Sequence, residues 1–181
     1  MTEDHLLRAF QSRTARVAVG ASTVRGRGNA GVVRASRSFL GRLDLTPFGR
    51  PSKVVFARNL DRATSALRKS LPRKASHWGL ARKVVNIFLR DCLYTTYLNE
   101  AFDLRQSEPY LELPLDSITA KQIKRAAGRG ELPAWPGVKN LTQSLSARFQ
   151  EAAAAEAARR GIARVHLDAI WWSMDRDGDA V

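Results

Sequence analysis

Residues 76–89 read SHWGLARKVVNIFL, a turn that runs into a helix too apolar to face water. Arg82 and Lys83 fall in the first turn of that helix, where the macrodipole already presents partial positive charge and a further cation is disfavoured. A buried helix that opens on two cations calls for an anion at its start. Backbone N–H groups without helical partners converge there, so a phosphate oxygen fits, with Arg82 and Lys83 supplying full charge. Equally, two cations at an ordinary helix start can project into solvent, and the local sequence leaves both readings open.

The rest of the chain favours the anion. Its 181 residues carry 30 Lys+Arg against 17 Asp+Glu, a formal charge of +13. This excess is spread from Arg8 to Arg164, so a polyanion is the expected partner and nucleic acid the leading one. A hydrophobic content of 44% is enough for a real core. Residues 1–174 read as one domain and 175–181 as a disordered tail. Cys92 is the only cysteine, which excludes intrachain disulfides, thiolate zinc sites and cysteine-ligated clusters. No cofactor or metal is expected. No apolar run approaches bilayer length, and Met1 to His5 lacks the pattern of a secretory leader. The expectation is a cytoplasmic monomer with no membrane partner.

Working outward from the opening stretch, helical periodicity is the dominant pattern. Asp4 to Arg16 is a short helix; Ala30 to Leu43 places Val32, Val33, Phe39, Leu40 and Leu43 on one face; Phe56 to Leu71 does the same with Leu60, Ala63 and Leu67 before Pro72 ends it. The opening helix runs from about Leu80 to Tyr97. Asp116 or Ser117 can cap another reaching Ala127, Leu141 to Arg160 is a long alanine-rich helix stopped at Gly161, and Val165 to Met174 is a last apolar helix holding Trp171 and Trp172. Ser52 to Phe56 and Ala163 to Leu167 are the only strand candidates, so the fold class is mostly α: a compact helical domain. Between the helices, 17–29 is a basic glycine-rich loop. Its Arg25-Gly26-Arg27-Gly28 either lays arginines on phosphates or serves as a flexible connector.

Gly79-Leu80-Ala81-Arg82-Lys83-Val84-Val85-Asn86-Ile87-Phe88-Leu89 resembles the second half of the helix-hairpin-helix motif in DNA glycosylases of the endonuclease III superfamily. There a glycine turn leads into a helix with a basic pair, then Asn, then aliphatics. Leu113-Pro114-Leu115-Asp116-Ser117-Ile118 is similar to that family's loop carrying a catalytic aspartate. The likeness covers about 67–125. It departs in having Trp78-Gly79 for the usual Pro-Gly, Ala81 for the second glycine, and a Lys83-to-Asp116 separation longer by about three helical turns, with Tyr97 to Tyr110 as the surplus.

The resemblance implies a helix-hairpin-helix-like element over 72–125 that binds double-stranded DNA through His77, Trp78, Gly79, Ala81 and Arg82, helped by Arg25, Arg27 and Lys121. It implies Asp116 as the carboxylate that stabilises positive charge on the sugar as the N-glycosidic bond breaks. Lys83 matches the position of the lysine some members use as a nucleophile, and a phosphate or pocket role suits it equally. Without the resemblance, Asp116 reads as an ordinary N-cap. Asp168, with His166 beside it, is the competing carboxylate. A glycosylase extrudes its target nucleotide and needs stacking surfaces. Tyr94, Trp171 and Trp172 are candidates for that pocket, while paired tryptophans are more often core.

The expected activity is therefore excision of a damaged or modified base to leave an abasic site, in repair or in defence against modified phage DNA. The alternative is a non-enzymatic DNA- or RNA-binding protein using the same hairpin.

Overall fold

The computed structural model describes residues 3–24 and 30–171, all helices and connections with no strand among them. Among the described residues the main α-helices run in order: α1 Glu3–Ala18, α2 Ala30–Leu40, α3 Lys53–Ser70, α4 Trp78–Tyr94, α5 Thr96–Phe102, α6 Ser117–Ala127 and α7 Gln143–Arg159. Short 3₁₀ turns join them. The two strand candidates are both helical: α3 already begins at Lys53 behind its Ser52 cap, and Arg164–His166 is a 3₁₀ turn that continues as helix from Leu167. Short β-branched runs do not distinguish strand from helix by themselves.

The opening helix is the centre of the molecule. Leu80, Ala81, Val84, Val85, Phe88, Leu89, Cys92 and Leu93 of α4 are all buried, and α1, α2, α3 and α5 pack around them. A second apolar cluster joins α6 and α7 through Ile123, Phe149, Ala153 and Trp171, and Trp78 at the start of α4 packs against it. The polar ends of α1 and α2 satisfy each other. Gln11 donates to the Leu40 and Leu43 carbonyls (both 2.8 Å), while Arg37 donates through Nε to Val19 O (2.8 Å) and through Nη2 to Arg16 O (3.1 Å). All four carbonyls lie at or just past a helix end, where intrahelical partners run out.

The stretch 97–110, read from sequence as a surplus insert, is part of the core. Leu98 and Leu104 are buried in the α4 cluster, and Ser107 Oγ donates to Phe48 O. Its α5 ends on Asp103 with φ 52°, a left-handed conformation that asparagine and aspartate tolerate best after glycine. The segment 111–115 that follows carries the chain back across α4 to Asp116, held by Gln150 of α7. That amide accepts from Leu113 N (3.1 Å) and donates to Leu113 O (2.7 Å).

Gly79 is helical rather than part of a turn, because α4 begins one residue before it. Its glycine identity has a different cause: a Cβ there would meet Val138 O at 2.3 Å and Leu141 Cβ at 2.7 Å. The 138–141 turn thus sits directly on the start of α4. Gly79→Ala is expected to cost about 1–3 kcal/mol by overpacking against backbone that cannot rotate away. Thermal melting checks this: a variant melting with the wild type would mean that the 138–141 turn is not seated there.

Candidate functional site

The first turn of α4 resolves the charge conflict with anions from its own chain. Arg82 is 7% exposed. Its Nε and Nη2 donate to the two carboxylate oxygens of Glu112, each at 2.8 Å, and Nη1 donates to Asp61 Oδ1 (2.8 Å) and Thr64 Oγ1 (3.2 Å). Trp78 covers the guanidinium at 5.4 Å from its ring centroid. Burial pushes the Glu112 carboxyl up, but the hydrogen bonds and charge of Arg82, with the Asn86 amide and Arg164, hold it below the usual carboxylate range. Arg82, expected on a DNA phosphate, is therefore a core ion pair. Ala81 is also fully buried, its N–H bonded to His77 O, and the 138–141 turn covers Gly79. The open, anion-binding helix start is absent from the described residues.

Lys83 points another way. Its Nζ lies 3.2 Å from Asp116 Oδ2 and donates to Thr23 O at 3.3 Å. The two residues that the resemblance pairs as catalytic, 33 positions apart, thus meet in space. Asp116 caps α6: Oδ1 accepts from Ile118 N (2.9 Å) and Thr119 N (3.0 Å), and Thr119 Oγ1 accepts from Asp116 N (2.9 Å), a complete capping box. The cap uses Oδ1, and Oδ2 is the oxygen that faces Lys83. The side chains of Lys83 and Asp116 are 10% and 28% exposed, so the pair is mostly buried and the aspartate is the more solvent-accessible partner.

Positions 83, 90 and 94 differ by seven and eleven residues, two and three helical turns, and so form one stripe on α4. That stripe is the face α4 leaves incompletely buried, and the other candidates gather on it. Arg90 holds Asp91 (Nε at 2.9 Å) and pairs through Nη1 with Asp168. Tyr94 OH lies 2.9 Å from His166 Nδ1, and His166 Nε2 lies 2.9 Å from Glu108 Oε1. The phenol and imidazole are near-parallel, 15° apart, and burial raises the Tyr94 hydroxyl above its ordinary value. Asp116, Asp168 and His166 therefore all bind one helix face, with about 10 Å of α4 between the Lys83 and Arg90 levels.

The remaining candidates separate from this stripe. Trp171 is 3% exposed and belongs to the second apolar cluster, the core role that paired tryptophans usually have. His77 precedes α4 without capping it, its Nε2 buried and unpartnered among the described residues. Lys121 is exposed on α6. Arg25, Arg27 and Trp172 lie outside the described residues, although Thr23, two positions before Arg25, is the carbonyl partner of Lys83. Sequence reasoning missed Glu108 and Glu112. Glu112 had a signal: a lone acid inside Tyr110-Leu111-Glu112-Leu113-Pro114-Leu115 must find a partner to be buried.

No helix among the described residues is long and apolar enough to cross a membrane. No family model, curated protein or solved structure matches the chain.

Proposed function

We propose that the protein is a DNA glycosylase that flips out a damaged or modified base and hydrolyses its N-glycosidic bond, leaving an abasic site. The observation that carries this reading is the Lys83–Asp116 pair at 3.2 Å, the two residues singled out by the resemblance to the endonuclease III superfamily. Cleavage of that bond develops positive charge at C1′. A carboxylate fixed by two backbone N–H groups at a helix start is preorganised to stabilise this charge, because it need not reorient as the charge forms. Lys83 is engaged by Asp116 and Thr23, which suits an amine that positions the carboxylate better than one free to attack C1′. The chain charge of +13 brings the duplex to the site. Bases carried by modified phage DNA are substrates of the same chemistry, and a role in defence follows if they are the ones released.

One observation favours a second reading, a non-enzymatic DNA- or RNA-binding protein. Asp116 completes a capping box and Arg82 a core ion pair, so both have structural reasons to exist. The deciding experiment incubates the protein with damaged, unmodified and phage-modified duplexes and identifies released bases by mass spectrometry. A released free base with matching abasic sites is the expected result. Tight, salt-sensitive duplex binding with no base released from any substrate would establish the second reading instead.

A further inference from the structure

The groove between α2 and α3 lies apart from the α4 stripe. An open cavity of about 580 Å³ is floored by Phe39, Leu43, Phe48 and Ala63, within the size range of small-ligand sites. Arg42, just beyond α2, and Arg62 of α3 are exposed at its edge, and Asn59 and Ser38 add polar groups to its wall. A second depression of about 590 Å³ adjoins it on α3, lined by Arg58, Asp61, Arg62, Ser65, Ala66 and Lys69. Arg62 and Ala66 belong to both, so the apolar pocket and the basic depression are continuous.

The register of α3 builds this arrangement. Residues 58, 62, 65 and 69 are spaced by four, three and four and form one exposed stripe about 16 Å long. The side chains of Arg58, Arg62 and Lys69 have no ion-pair or hydrogen-bond partner among the described residues, so all three charges are open to a ligand. Two acids are nearby. Asp61 is occupied by Arg82 (2.8 Å) and Gln143 (3.2 Å), and Asp44 at the pocket edge accepts from Thr46 N (3.0 Å).

A row of unpaired cations leading into an apolar, aromatic-walled pocket matches a ligand with repeated negative charges and flat apolar groups. A small amphiphilic anion would use one cation and leave the row without purpose. A base-paired duplex offers the charges but keeps its bases stacked. We infer that this groove binds single-stranded nucleic acid, seating one unstacked base against Phe39 in the pocket and placing the phosphates on Arg42, Arg62, Arg58 and Lys69. The inference rests on the nucleic-acid partner of the proposed function and not on its chemistry, so a protein that releases no base would still bind here.

The test uses the full chain and a fluorescein-labelled twelve-residue oligothymidylate, read by anisotropy, with inorganic polyphosphate as a base-free competitor. Ala66 is exposed where the two depressions meet, so Ala66→Phe fills the pocket mouth without entering the core. It is expected to weaken oligothymidylate binding by about tenfold, the scale of one lost base stack, while polyphosphate affinity stays within about twofold. The triple variant Arg58→Ala, Arg62→Ala, Lys69→Ala is expected to lower the salt slope of binding by about two, from three lost phosphate contacts to a single strand. Equal loss of polyphosphate and oligothymidylate in Ala66→Phe would overturn the base-binding pocket. An unchanged salt slope in the triple variant would overturn the groove altogether. Displacement of an apolar dye by laurate, with oligothymidylate binding unaffected by Ala66→Phe, would make it an amphiphile pocket instead.

Discussion

Arg82→Leu is expected to destabilise the fold by about 3–5 kcal/mol, because it leaves the Glu112 carboxylate buried without its bidentate partner. For a chain of this size that corresponds to a fall in Tm on the order of 10 °C. The pH dependence identifies the cause. In the wild type, Glu112 sits below the ordinary carboxylate range, so its contribution is present above the unfolded carboxyl value of about 4.3 and is lost as pH falls through the lower folded value. In Arg82→Leu, burial is no longer offset by that partner and the folded carboxyl rises. Stability then declines as pH climbs from about 4 towards 7, the reverse of the wild type. Arg82→Leu combined with Glu112→Leu removes both charges and is expected to be less destabilised than Arg82→Leu alone. The salt slope of duplex binding should stay unchanged, since the guanidinium faces the core. A variant that melts normally and loses one unit of salt slope would return Arg82 to the DNA interface.

The same residue shows how far the sequence could be read. The conflict at the start of α4 was visible locally, since a cation in the first turn of a buried helix is disfavoured unless an anion offsets it. What answered it was not local: Glu112 lies 30 residues downstream and Asp61 21 residues upstream. Apolar periodicity placed the bodies of α2 and α3, while the cap at Asp116 placed α6 and the alanine-rich run stopped by Gly161 placed α7. Periodicity placed neither α5 nor the 3₁₀ turn after it, where Leu98 and Leu104 are too few and too close to proline and polar residues to show a repeat. Gly79 looked like a turn glycine because only tertiary structure reveals the Val138 carbonyl lying against it. The Lys83–Asp116 contact joins two residues that the resemblance singled out separately, whereas the Tyr94–His166–Glu108 chain of hydrogen bonds joins three elements that no spacing rule connects.

Asp116→Asn is expected to lower base release by about two to three orders of magnitude while leaving fold and duplex affinity intact. Asparagine is as good an N-cap as aspartate, so its Oδ1 can still accept from Ile118 N and Thr119 N, and α6 should keep its start. What disappears is the charge on the Oδ2 position facing Lys83. Stability should change by only about 1–2 kcal/mol, because the cap is preserved and the exchange removes one charged contact from a pair whose side chains are 10% and 28% exposed. Kinetic loss without comparable thermal loss would therefore separate chemistry from capping, the two roles that share this carboxylate. Asp168→Asn is the parallel experiment, because Arg90 keeps Asp91 as a partner and the C-terminal segment remains attached through His166. If Asp168→Asn is folded and inactive while Asp116→Asn stays active, the essential carboxylate lies at the Arg90 level of the α4 stripe. Borohydride treatment during turnover then decides the role of Lys83. With its amine held by Asp116 and Thr23, no covalent protein–DNA adduct is expected while abasic sites accumulate. An adduct that forms in the wild type and vanishes in Lys83→Ala would show that the pair opens on substrate binding and that Lys83 attacks C1′ itself.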